Sequence, residues 1–183
     1  MCIRDSYIDN EALDLLIENK DRVYVGPAIA WEMAFLENAE KMGFKSDSRE
    51  VIGYQREVEE TISSYKKMKD AGIKILVGGD YGLDIAPHGT YAKDLEHYVN
   101  LFGFSNAEAL HSATSLGGEA MDNNGSLGTL EEGKLADLVI IDGNPLEDIT
   151  VLQDHKKIKA VMKDGLIYQG LTNKINPYLN ENL

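Results

Sequence analysis

The run Ile73-Lys74-Ile75-Leu76-Val77 constrains the fold more than any other part of the chain. It has strand length, is apolar apart from Lys74 and does not alternate, so it suits a strand covered on both faces, as in parallel sheets. Ahead of it lies the clearest helical pattern of the sequence. From Ser48 to Ala71, Val51, Tyr54, Val58, Ile62 and Tyr65 recur every three or four residues, and Gly72 occupies the stop position. Behind it come Gly78-Gly79-Asp80-Tyr81-Gly82 and then Ala86-Pro87-His88-Gly89. A strand between two helices requires a crossover connection, so the chain is expected to be α/β. The C-terminal ends of parallel strands are where such proteins place their chemistry, and Asp80 stands at that end. Taken alone, an Asp after a strand usually caps a loop or a helix.

The flanking segments repeat the βα rhythm. Asp9 to Asn19 reads as a helix with Leu13, Leu16 and Ile17 on one face. Val23-Tyr24-Val25 reads as a buried strand, followed by a short helix from Trp31 to Gly43. Thr90 to Phe102 is a further helix, with Leu95, Val99 and Phe102 inward and Gly103 at its end. Ser105 and Glu108 form a capping box that opens a helix through Met121. Past Asn123-Asn124-Gly125 the pattern turns to β: a strand over Leu135–Asp142, then Ile158–Met162 and Leu166–Tyr168 around Asp164-Gly165, a strong hairpin signal. The polar stretch 171–183 is expected to fray.

With 31 acidic and 18 basic residues the formal charge is -13, and no Lys/Arg cluster stands out, so a polyanionic partner such as nucleic acid is not expected. The single cysteine, Cys2, excludes an intrachain disulfide framework and a cysteine-based zinc site. No apolar run reaches the roughly 20 residues of a membrane span, and no signal peptide is visible, so a cytoplasmic protein without membrane contact is expected. His97, His111 and His155 are read as ordinary surface or interface histidines, and Tyr24, Trp31, Met33 and Phe35 as packing residues.

Four blocks carry a resemblance: Gly78-Gly79-Asp80-Tyr81-Gly82; Pro87-His88-Gly89; Glu108-Ala109-Leu110 with Ala113-Thr114; and the long run from Gly125 to Val139, continuing through Asp142-Gly143-Asn144-Pro145 to Ile149. From about Tyr7 to Gly170 the chain resembles the C-terminal half of a metal-dependent amidohydrolase, of the imidazolonepropionase-like and prolidase-like branch. The resemblance implies the C-terminal part of a (β/α)8 barrel over 7–124. Its last two βα units would have Val23–Val25 as seventh strand and Ile73–Val77 as eighth. The C-terminal share of a small β-sandwich would occupy 125–170. It implies a divalent metal, zinc, as one or two ions in the parent. Asp80 would be both metal ligand and catalytic proton shuttle, and His88 a substrate-binding residue at the barrel mouth. Gly79 stands where the family usually has Thr.

The family's other ligands are a His-x-His after the first strand, a Lys or Glu after the fourth, and His after the fifth and sixth. No His-x-His occurs here, and the first histidine is His88. Met1 to Ser6 cannot supply the buried sixth strand and read as a non-native leader. The resemblance therefore implies a truncated hydrolase of amide, cyclic amide or dipeptide C–N bonds, acting on a small-molecule substrate and inactive as this piece alone. A homo-oligomer stays open. A deaminase on the same scaffold, or a non-catalytic interaction protein or subunit completed by a separate N-terminal chain, are the alternatives.

Overall fold

A computed structural model of the chain describes residues 2–3, 8–122 and 124–170. Asn123, the expected fraying of 171–183 and most of the leader lie outside the described residues. Three short parallel strands, β1 (Cys2–Ile3), β2 (Tyr24–Val25) and β3 (Lys74–Ile75), lie side by side in that order. Cys2, Tyr24 and Lys74 are in register, as are Ile3, Val25 and Ile75. The sequence of Met1–Ser6 predicts no strand, yet Cys2–Ile3 pairs here. A ladder is made by backbone N–H and C=O groups, which an open strand edge offers to any residue type. No closed barrel forms among the described residues; the chain is a mixed α/β piece.

The helices α1 (Asn10–Glu18), α2 (Ile29–Asn38) and α3 (Arg49–Asp70) connect the strands. Each expected helix is present with ends set by local chemistry. Asp9 accepts the Ala12 N–H at 2.8 Å at the head of α1, and Ser48 accepts the Val51 N–H at 3.3 Å at the head of α3. Helix α3 stops at Ala71, after which Gly72 takes the left-handed φ of +75°. Helix α2 starts two residues earlier than expected, because Ile29 and Ala30 are buried and extend its inward face.

Helices α4 (Lys93–Phe102), α5 (Asn106–Ala113) and α6 (Ser115–Met121) come after β3. The capping box opens α5 as expected, with Ser105 and Glu108 each bonded to the other's backbone N–H. The single helix expected through Met121 is broken at Thr114. Its hydroxyl donates back to the Leu110 carbonyl at 2.6 Å, a bond that competes with helix continuation. The bend seats Gly118 against the Leu127 and Gly128 backbone, where a Cβ would come within 2.7 Å.

The core lies between β2–β3 and the helices. Val25, Ile75, Tyr65, Tyr98 and Phe102 are at most 2 % exposed, and the Phe102 ring packs against Tyr65 at 5.1 Å and Tyr98 at 5.2 Å. The strand continues past its ladder, because Leu76 N–H donates to Val25 O at 2.8 Å. The Tyr98 hydroxyl donates to Leu76 O at 2.5 Å. That bond clamps α4 to the end of β3 and so sets the course of the chain beyond the strand.

The second sheet is antiparallel: β4 (Leu138–Ile141), β5 (Ile158–Lys163) and β6 (Leu166–Gly170). The expected hairpin turn is there, with Asp164 at φ +50° and Gly165 at φ +76°. The short 3-10 helix Ile149–Gln153 leads from β4 back to the first unit, burying Ile149 in the main core. Val139, Ile140 and Tyr168 remain exposed, so this sheet has no second layer among the described residues.

Candidate active site

The chain leaves β3 through Val77, Gly78 and Gly79 and folds back on itself. Gly82 N–H donates to Ala86 O and Ala86 N–H to Leu83 O, both at 2.9 Å, which closes a tight loop. Gly82 is required there: its φ is +112°, and a Cβ on it would come 2.9 Å from His88 Nε2. The Thr90 hydroxyl then caps the Pro87 carbonyl at 2.8 Å, and α4 starts. Strand end, loop and first turn of α4 together border an open cavity of about 390 Å³, lined by Val77, Gly78, Gly79, Tyr81, His88, Tyr91 and Asp94.

Asp80 and His88 are both exposed, at the C-terminal side of the parallel sheet. His88 lines the cavity, and its Nδ1 lies 2.7 Å from the Tyr91 hydroxyl. Asp80 stands between two lining residues, Gly79 and Tyr81, without lining the cavity itself. The two residues singled out from the sequence are thus set around one loop, with His88 toward the cavity and Asp80 beside it.

Sequence reasoning missed Asp94. It is 1 % exposed, and neither of its carboxylate oxygens has a partner in hydrogen-bond geometry. Burial pushes its carboxyl up to about 6, opposed by the neighbouring Tyr81 phenol, which favours the ionised form. Tyr81 is raised in turn, first by its own burial and then by the Asp94 charge. The Tyr81 and Tyr91 rings meet edge to face with centroids 4.7 Å apart, forming one wall. A signal was present: Asp94 falls three residues after Tyr91 and four before Tyr98, on the inward face of the helix.

The histidine expectations are corrected at one position. His97 is 7 % exposed, and burial, followed by the nearby Lys93 charge, lowers its pKa. It shares the inward side of α4 with Leu95 and Tyr98, a placement that its distance from a strand end did not reveal. His111 and His155 are exposed, and His111 Nδ1 lies 2.6 Å from Ser115 Oγ one turn along. Phe35 is buried and Met33 packs against the core, as packing residues.

Among the described residues, no group of three or more His, Cys, Asp or Glu side chains could hold a metal ion. Nor is any described helix long and apolar enough to cross a membrane.

The geometry has relatives. The profile of the amidohydrolase family matches residues 4–167. Ochratoxinase of Aspergillus niger is 31% identical over 166 residues, which cover 90% of this chain and 33% of that protein. Its crystal structure superposes with a TM-score of 0.78 at 27% identity, covering 96% of this chain and 38% of the other. A putative prolidase from Bifidobacterium longum gives a TM-score of 0.80 at 27% identity, over 91% of this chain and 41% of that one. A Xaa-Pro dipeptidase with bound methionine in its active site gives 0.73 at 34% identity, over 92% and 40%. The chain spans about a third of the length of the curated relatives it matches. With a profile match that takes in β2, β3 and most of the second sheet, the chain belongs to the amidohydrolase family.

Proposed function

We propose that this chain is the C-terminal part of a metal-dependent hydrolase of carbon–nitrogen bonds in amides, cyclic amides or dipeptides. In this reading β2 and β3 are the seventh and eighth strands of a (β/α)8 barrel, β1 pairs at the edge where the sixth would lie, and β4–β6 are half of a small sandwich. The observation that carries it is the placement of Asp80: a carboxylate in the loop that follows a parallel strand, beside a cavity that His88 lines, in an amidohydrolase chain. The similarity to two proteins named as prolidase or Xaa-Pro dipeptidase supports dipeptides as a substrate class.

The family is typically metal-dependent, but the described residues do not by themselves fit a metal. A catalytic zinc takes three protein ligands, and this strand end offers one carboxylate. The other ligands would come from outside this chain, and the role of a metal is left to the whole protein. What Asp80 contributes itself is proton transfer. An exposed carboxylate next to a bound amide accepts a proton from the attacking water and returns it to the leaving nitrogen. His88, held by Tyr91 at 2.7 Å, presents an imidazole edge to a substrate group in the cavity.

The test is an assay of the longer protein that contains this chain, against Xaa-Pro dipeptides, N-acyl amino acids and cyclic amides, with bound metal measured. Hydrolysis that disappears on chelation supports the reading. A longer protein that holds metal yet cleaves none of these C–N bonds overturns it.

A further inference from the structure

Tyr81, the residue after Asp80, turns back against α4. Its ring meets that of Tyr91 edge to face, with centroids 4.7 Å apart, and its buried hydroxyl lies beside the Asp94 carboxyl. The phenol is a donor for that carboxylate and the carboxylate an acceptor for that phenol, and buried groups of this kind are nearly always matched. Gly79, the residue before Asp80, rests on the same pair. A Cβ on it would come 3.0 Å from the Tyr81 ring, 3.1 Å from Ala30 Cβ and 3.3 Å from Asp94 Oδ2. Both chain neighbours of Asp80 are therefore supported from α4.

Helix α4 is itself tied to the strand. Tyr98, one turn after Asp94 on the same side of the helix, donates its hydroxyl to Leu76 O at 2.5 Å. The Leu76 N–H donates in turn to Val25 O at 2.8 Å, and beyond Asp80 the Gly82 N–H closes the loop on Ala86 O at 2.9 Å. The chain is thus pinned at Leu76, Gly79, Tyr81 and Gly82, with Asp80 exposed between the pins. An exposed residue on an unsupported loop would sample many backbone conformations, and holding one of them costs entropy that these contacts offset.

We propose that Tyr81 and Asp94 are positioning residues for Asp80: docked on each other beneath Gly79, they fix the backbone on both sides of Asp80 and so the direction of its carboxylate. The catalytic half of this proposal rests on the hydrolase reading above. The mechanical half, that the pair holds the loop, does not, so the two are read out separately.

Tyr81→Phe removes the hydroxyl alone and keeps the ring against Tyr91 and Gly79. Asp94→Asn keeps an oxygen that accepts the phenol O–H, whereas Asp94→Leu, of similar size, keeps none. In the 183-residue chain, amide hydrogen exchange followed by NMR compares Gly82, whose N–H closes the loop, with Leu76, whose N–H extends the strand ladder. Loss of a hydrogen bond to a carboxylate should speed exchange at Gly82 roughly tenfold or more in Tyr81→Phe and Asp94→Leu. Leu76 should keep its rate, and Asp94→Asn should move Gly82 far less than Asp94→Leu does. Unchanged exchange at Gly82 in a folded Tyr81→Phe chain overturns the proposal. An equal increase at both amides also overturns it, since that is a general loss of stability. In the longer protein, on an amide that it cleaves, Tyr81→Phe should lower kcat about 10–100-fold with KM within about twofold and bound metal unchanged. Normal kcat in Tyr81→Phe, where Asp80→Asn is inactive, overturns the positioning role and leaves the hydrolase reading intact. Should Asp80→Asn itself keep normal kcat, the reading of Asp80 fails and takes the catalytic half with it, while exchange at Gly82 still decides the mechanical half.

Discussion

Replacing Asp94 by Asn should change how stability depends on pH, and the structure sets the size of the effect. The carboxyl is pushed from an ordinary 3.8 to about 6, chiefly by burial, with Tyr81 opposing. At 1.36 kcal/mol per pH unit, that rise corresponds to about 3 kcal/mol. The folded chain holds this proton more tightly than the unfolded chain does. Stability from the group is therefore complete below about pH 4, is lost as pH rises through 6, and is flat above. The phenols of Tyr81 and Tyr98 neighbour the carboxyl, and His97, one turn along α4 with a pKa lowered by burial, is present in both proteins, so its own titration cancels in the comparison. Asparagine cannot ionise, so the variant lacks the decline. Urea unfolding of both proteins at matched pH values between 5 and 7.5 should show the variant gaining about 1.4 kcal/mol on the original chain across that interval. Comparing the two at each pH cancels the exposed carboxylates, such as Glu108 and Asp122, whose lowered pKa values work in the opposite direction. Parallel curves would refute the burial argument for Asp94.

Two further outcomes rest on single contacts. Gly118→Ala should destabilise the chain by about 1–3 kcal/mol, because the new methyl would sit 2.7 Å from backbone atoms of Leu127 and Gly128 that cannot rotate away; chemical denaturation measures it. The isolated chain should bind zinc no better than an ordinary acidic protein, since no three-ligand group exists among the described residues. One tightly held zinc in equilibrium dialysis, lost on Asp80→Ala, would contradict this and indicate a self-sufficient site.

The parts of this molecule that were legible in the sequence are those decided locally. Helix α3 is set by apolar spacing, α5 by the Ser105–Glu108 box, and the β5–β6 turn by Asp164-Gly165. The position of Asp80 after a strand is equally local. Burial of Asp94 and His97 is different in kind: each depends on which side of α4 meets the strand end, which the Tyr98–Leu76 bond decides across 22 residues. The break at Thr114 likewise depends on Gly118 docking on a segment that begins nine residues later. Cys2–Ile3 reads as no strand from its side chains, because an open β2 edge recruits backbone. Local rules report the element; partner choice belongs to packing.

The most direct test of the account is the turnover of the longer protein with Asp80→Asn, measured as kcat and KM on an amide it cleaves, with metal content determined alongside. The asparagine keeps the size of the side chain but cannot accept a proton from water. A general acid–base group typically contributes about 10²–10⁴-fold, so kcat should fall by at least about 100-fold. A variant that retains near-normal kcat with full metal occupancy would contradict the assignment of Asp80 and with it the central claim.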